Sequence, residues 1–162
     1  MIRVLFVCMG NVCRSPMAQG IMQKLLEQHD LDDQVLVDSA GTHAYHLGRS
    51  PDPRAILAAQ ARGIDIRHLR ARQAEPRDLK EFDLVLVMDE QNYDTLSFIC
   101  TDPAQREKIG YLLDYAPHFA TRTVPDPYYG GDMGFEKVMD MLEDACLGLL
   151  RHLQDRYLRR GL

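Results

Sequence analysis

The chain has 162 residues, 46% of them hydrophobic, which suits one compact domain with a sizeable core. A formal net charge of -5 argues against nonspecific nucleic-acid binding, and no 18-residue apolar stretch offers a membrane span. The four cysteines, Cys8, Cys13, Cys100 and Cys146, form neither a C-x-x-C pair nor a dense disulfide framework, and none of the six histidines forms H-x-x-x-H, so no metal and no cofactor are expected.

Met1-Ile2-Arg3 runs straight into an apolar strand, Arg3 to Val7, with no signal-peptide pattern, which fits a cytoplasmic protein. A helix is expected from about Ser15 to Gln28, burying Met17, Ile21 and Leu25. Val35 to Val37 gives a short second strand, and Asp38-Ser39-Ala40-Gly41-Thr42 reads as the loop at its carboxyl end. A second helix follows Pro53, through Ala55 to Arg62, and closes at Gly63. Phe82 to Met88 is a third strand, Asp89 to Phe98 a helix, and Lys108 to Leu112 a shorter fourth strand. The last helix carries Phe135, Val138, Met139, Leu142, Cys146, Leu149, Leu150, Leu153 and Tyr157 on one apolar face. Arg151, Arg156, Arg159 and Arg160 in its final turns match the negative end of its dipole rather than a nucleic-acid surface. Strands alternating with helices give an α/β protein, a parallel sheet covered on both faces, whose ligands sit at the carboxyl ends of the strands.

One such end carries the run Val7-Cys8-Met9-Gly10-Asn11-Val12-Cys13-Arg14-Ser15-Pro16. The first N–H groups of a helix lack intrahelical partners and carry the positive end of its dipole, so an anion binds there. Pro16 suits the first turn, and Ser15 is a cap or a hydroxyl donor beside the site. The same field favours a thiolate at Cys8 and makes it a nucleophile. Arg14 is always charged and its planar fork matches two phosphoryl oxygens. Gly10 lets the backbone turn, and Asn11 accepts the left-handed conformation such a loop needs. Neither the Walker ending Gly-Lys-Ser/Thr nor G-x-G-x-x-G is present, so nucleotide loops of those kinds are not supported. A proton donor for a leaving oxygen is offered by Thr123-Val124-Pro125-Asp126-Pro127-Tyr128-Tyr129-Gly130-Gly131, where two prolines hold Asp126 on a stiff loop. Pro-Asp-Pro is also ordinary turn chemistry, so this segment alone leaves both readings open.

Taken together, the Cys8 to Pro16 run and Asp126-Pro127-Tyr128-Tyr129-Gly130 resemble the low-molecular-weight protein tyrosine phosphatases. Asp38 to Thr42, Gly48 to Arg54, Arg72-Gln73 and Phe82-Asp83 to Met88-Asp89 resemble family segments in the expected order, so the likeness spans residues 1–162 as one domain. It implies a single-domain open twisted sheet of four parallel strands in the flavodoxin-like order 2-1-3-4, with helices on both faces. It implies a phosphatase that hydrolyses phosphotyrosine on proteins without metal and releases inorganic phosphate. Cys8 would attack phosphorus to form a cysteinyl phosphate. Arg14 and the amides of Met9, Gly10, Asn11, Val12, Cys13 and Ser15 would hold the phosphoryl oxygens, and Asp126 would serve as general acid and then base. Asn11, Ser15, Ser39 and His68 match a network that shapes the loop. For His68 the match is looser, with one extra residue before Arg72, and an ordinary surface histidine is the other reading.

Tyr45, Tyr128 and Tyr129 are expected to clamp a phosphotyrosine ring, although Tyr45 also fits a loop tyrosine covering the core edge. Val12 is apolar, as in the tyrosine phosphatases, whereas phosphoarginine phosphatases of the superfamily typically have threonine there; phosphoarginine is the alternative substrate. An arsenate reductase of the same superfamily would need a cysteine pair near the third strand, which has none. In the family the second cysteine commonly traps oxidised Cys8, so Cys13 is either a redox guard or a packing residue. No nucleic-acid partner and no membrane insertion are expected, and the chain is expected to be a monomer or a weak homodimer.

Overall fold

The structure is a computed structural model that describes residues 1–129 and 132–158, without the side chains of Tyr129, Asp132 and Met133. Four parallel strands form the sheet: β1 (Ile2–Cys8), β2 (Val35–Gly41), β3 (Leu84–Val87) and β4 (Ile109–Tyr111), in the order β2-β1-β3-β4. The single-domain α/β architecture and strand order match the expectation. β1 lies between β2 and β3, and helices on the two sides of the sheet cover both its faces, so Val4 to Val7 are all fully buried, which explains an apolar run without alternation. Successive side chains still face opposite ways. Val4, Phe6 and Cys8 enter one core with α1 (Arg14–Gln28), α2 (Pro53–Gln60) and α6 (Asp132–Arg156). Leu5 and Val7 enter the other, with Leu79 of α3 (Asp78–Glu81) and Leu96 of α4 (Glu90–Ile99).

The expected helices are present with shifted ends. α2 stops at Gln60, and the chain leaves it through Gly63 at φ 76°, a conformation that favours glycine. α3 and α5 (Pro103–Arg106) were not anticipated, since four residues are too short to display a helical period. On α6 the expected face is buried from Phe135 to Leu153, but the helix ends at Arg156 and Tyr157 is 53% exposed. Leu25 is half-buried beside the core, while its neighbour Leu26 is buried. Arg159 and Arg160 lie outside the described residues.

One correction bears on function. Asp38 to Gly41 are not a loop but the last residues of β2, paired with Leu5, Phe6, Val7 and Cys8. Pairing with a fully buried neighbour strand overrides the polar character of Asp38 and Ser39. It also carries Ser39 to the carboxyl edge of the sheet, next to the end of β1. Gly41 is required there, because a Cβ would sit 2.7 Å from the Met9 carbonyl oxygen. Strands β1 and β2 thus end side by side, and β3 ends on the other flank of β1. A crevice opens where the connections diverge, the usual ligand position in open α/β sheets. No helix among the described residues is long and apolar enough to cross a membrane.

Candidate active site

The loop from Cys8 to α1 wraps the carboxyl end of β1 and is almost entirely buried. Asn11 takes φ 58°, the left-handed conformation expected of it. Its side chain uses nearly all its capacity: Nδ2 donates to Ser15 Oγ at 2.8 Å and to Ser39 Oγ at 3.0 Å, while Oδ1 accepts from the Arg72 N–H at 3.0 Å. Ser39 Oγ donates onward to Gln19 Oε1 at 2.6 Å. Arg72 is itself fixed, its guanidinium bound to Asp38 at 3.2 Å and to both oxygens of Asp78 at 3.1 and 3.2 Å. Asn11, Ser15 and Ser39 are therefore brought together. Gln19 and Arg72 complete the network and were not anticipated as site residues.

Ser15 does not cap α1, whose N-cap position is Cys13 with no side-chain cap bond, so its hydroxyl serves the other expected role beside the sulfur. Cys8 Sγ lies 3.0 Å from Ser15 Oγ and accepts the Asn11 N–H at 3.3 Å. Because Asn11 already donates to Ser15 Oγ, the hydroxyl hydrogen is free to turn toward the sulfur, nearer than the Ala40 carbonyl at 3.4 Å. The uncapped first turn leaves N–H groups for an anion.

Arg14 is 2% exposed. Its Nη1 donates to Asp89 Oδ2 at 2.7 Å and to the Val124 carbonyl at 3.0 Å, and its Nη2 stands 3.5 Å from Asp126 Oδ2. Burial works against the guanidinium charge, but the Cys8 sulfur, the Asp89 bond and Asp126 more than offset it and hold Arg14 in its charged form. Asp89 was not anticipated. It caps α4 immediately after β3, where it accepts the Asn92 N–H at 2.9 Å with one oxygen and Arg14 with the other. A carboxylate at the end of the neighbouring strand was the available signal. Asp126 in turn accepts the Tyr128 N–H at 3.0 Å, which starts the 3-10 turn Pro127–Tyr129 and aims the carboxyl group at Arg14.

These groups meet in a small cleft, with Cys8, Gly10, Val12 and Cys13 below and Asp126 on one wall. Tyr45 and Tyr128 line its mouth. Tyr45 is 68% exposed and stacks on His43 at 5.1 Å, and the His43 N–H donates to the Met9 carbonyl, tying this rim to the loop below. His46 also lines the mouth, 5.8 Å from the Tyr128 ring, and nothing in the sequence distinguished it from other loop histidines. The Tyr129 side chain and Gly130-Gly131 lie outside the described residues.

His68 stands apart from the network. It is exposed and lines a surface depression together with Gln19, Gln23, Lys24 and Asp65. Its neighbour Leu69 is the residue packed against the core. Cys13 is buried beneath the cleft, and burial, then the negative groups Asp52, Cys8 and Asp126, push its thiol far above its ordinary range. Both cysteines are free thiols. The arrangement thus offers one sulfur among donors, one fixed guanidinium and one carboxyl group around a single anion-sized space.

The sequence profile described as low molecular weight phosphotyrosine protein phosphatase matches residues 3–158. A chain from Synechocystis sp. named for the same family is 48% identical over 153 residues, covering 93% of this chain and 96% of its own. The low molecular weight phosphotyrosine protein phosphatase of Schizosaccharomyces pombe is 37% identical over 153 residues, covering 94% and 97%. The crystal structure of a protein tyrosine phosphatase from Entamoeba histolytica with Hepes in the active site superposes with a TM-score of 0.92 at 39% identity, covering 98% of this chain and all of that one.

Proposed function

The chain belongs to the low molecular weight phosphotyrosine protein phosphatase family, and on that premise we propose that it hydrolyses phosphotyrosine monoesters on proteins through a cysteinyl-phosphate intermediate. Cys8 Sγ attacks phosphorus in line, so an S–P bond forms as the P–O bond to the tyrosine breaks. Asp126 gives its proton to the departing phenol oxygen. Its carboxylate then takes a proton from the water that attacks phosphorus, the S–P bond breaks, and inorganic phosphate leaves with Cys8 again a thiolate. Arg14 and the amides from Met9 to Ser15 hold the equatorial oxygens throughout, and the charge that develops is met by groups already fixed in place. A phenol leaves readily once protonated, so the steps proceed with protein groups alone, consistent with a metal-independent family.

The observation that carries this reading is the convergence of Cys8, Arg14 and Asp126 on one cleft, with Arg14 Nη2 3.5 Å from Asp126. Tyr45 and Tyr128 would grip the phosphotyrosine ring. Cys13 would capture oxidised Cys8 as a disulfide and spare it further oxidation, and Cys13 remains a thiol until called on because its burial opposes ionisation. A reducing compartment such as the cytoplasm would keep Cys8 active. No observation favours phosphoarginine or arsenate as substrate, and β3 carries no cysteine. The test is hydrolysis of para-nitrophenyl phosphate and of a phosphotyrosine peptide in the presence of a chelator. Turnover of both is expected, with a loss of at least about 10⁴-fold in Cys8→Ser; turnover that survives this substitution overturns the reading.

A further inference from the structure

Beside the cleft lies a second, open depression that the reaction above does not use, lined by Arg54, Leu57, Ala58, Phe135 and Glu136. α2 turns Ala55, Ala58 and Ala59 into the core and leaves Leu57 65% exposed on its outer side. A single exposed leucine is ordinary. This one forms a wall over a floor of buried Ala58 and Phe135.

The two depressions share one partition, the Arg54 side chain. Its Nη2 donates to the Tyr128 carbonyl at 2.9 Å, and its guanidinium carbon lies 5.6 Å from the Tyr128 ring centroid and 4.9 Å from that of Phe135. Asp52 fixes the arginine through bonds to Nε at 3.1 Å and Nη2 at 3.0 Å. The partition is thus rigid and narrow. The two rings can be no further apart than those two centroid distances together, a span that about three residues of extended chain cover at about 3.3 Å each. Among the described residues, the charged groups that line the depression are ion-paired, Arg54 with Asp52 and Glu136 with Arg62, both at 3.0 Å. Among the described residues, what the depression offers an incoming chain is therefore mainly apolar: Leu57, Ala58 and Phe135.

We propose that this depression is a specificity subsite that receives an aliphatic side chain of the substrate protein, located within about three residues of the phosphotyrosine held in the neighbouring cleft. The inference rests on the phosphatase reading. It commits to the substrate peptide as occupant because the depression adjoins the cleft, with the Arg54 side chain between them, within reach of a chain anchored by its phosphotyrosine.

The experiment compares phosphotyrosine peptides in which each of the three positions on either side of the phosphotyrosine carries Leu or Ser, with para-nitrophenyl phosphate as a substrate too small to reach the depression. At one position Leu should raise kcat/KM by about fivefold to tenfold, through KM rather than kcat. Leu57→Ser should abolish that preference and leave para-nitrophenyl phosphate turnover unchanged, while Leu57→Met should retain both. Absence of a Leu preference at every position in an enzyme that turns over para-nitrophenyl phosphate overturns the subsite alone, as does a preference that survives Leu57→Ser. Failure of the parent chain to hydrolyse para-nitrophenyl phosphate in a Cys8-dependent manner overturns the phosphatase reading and the subsite with it.

Discussion

The floor and the rim of the cleft are built on opposite principles. On the floor, Asn11, Arg14, Ser15 and Ser39 are polar yet buried, and each is bound by several partners whose own positions are fixed. On the rim, Tyr45 and Tyr128 are exposed and held mainly by ring contacts. Buried polar groups in a saturated network resist displacement, because any member that moves leaves another unpaired in a poorly solvating medium. Exposed rings have no such constraint. On the proposed function, the contrast makes chemistry and selection separable: the floor would fix the reacting geometry, and the rim side chains would vary without disturbing it.

The sharpest test of that separation lies on the wall between the two. Asp126→Ala should lower turnover of a phosphotyrosine peptide by about 10² to 10⁴-fold. The loss should be much smaller with para-nitrophenyl phosphate, whose nitrophenolate departs without a proton. Equal losses on both substrates would mean that Asp126 positions the ester rather than protonating it. Next in size is the redox response. After brief peroxide treatment, dithiothreitol should restore the parent enzyme but largely fail to restore Cys13→Ser. Because burial and nearby negative charge raise the Cys13 thiol well above its ordinary value, the proton is retained through neutral pH and into the alkaline range. In a Cys8→Ser background, iodoacetamide should therefore label the folded protein at Cys13 only slowly between pH 7 and about pH 9, read by mass spectrometry. Fast labelling there would show that the floor is looser than its hydrogen bonds indicate.

Within the floor, Asn11→Gly keeps access to the left-handed backbone but deletes the bonds to Ser15, Ser39 and the Arg72 N–H. It should cost about 1 to 3 kcal/mol in urea denaturation, and kcat should fall along with stability. A variant with full activity would show that the backbone conformation, not the network, holds the loop. The smallest effect belongs to the rim. Tyr45→Ala should raise KM for a phosphotyrosine peptide by about threefold to tenfold with kcat unchanged, as expected for one lost ring contact. A fall in kcat instead would break the separation of floor from rim.

Much of the floor was legible in the chain because its residues are local. Cys8, Asn11, Arg14 and Ser15 belong to one strand-loop-helix unit, where a strand end, a left-handed residue and a helix start dictate each other's positions. Asp126 was legible as a stiffened carboxylate, though only family resemblance linked it to a loop more than a hundred residues away. The supporting partners were hidden for the opposite reason. Asp89 and Arg72 lie in segments that resemble the family but carry no role there, Gln19 is unremarkable in sequence, and their partners become visible only in the fold, where β3 and β2 stand on either flank of β1. His68 illustrates the limit of motif matching. It is exposed at the surface, and the backbone N–H of Arg72 holds Asn11 Oδ1 instead.

By itself, then, the sequence determined the order of the four strands and the longer helices, most of their apolar faces, and the strand-loop-helix unit from Cys8 to Pro16, since each depends on contacts between residues close along the chain. Tertiary structure decided which carboxylates face Arg14, that Asp38 to Gly41 extend a strand, and that Arg54 divides the cleft from a second depression. These depend on which segments the packed sheet brings side by side, and local patterns of hydrophobicity and turn chemistry carry no record of distance across the fold.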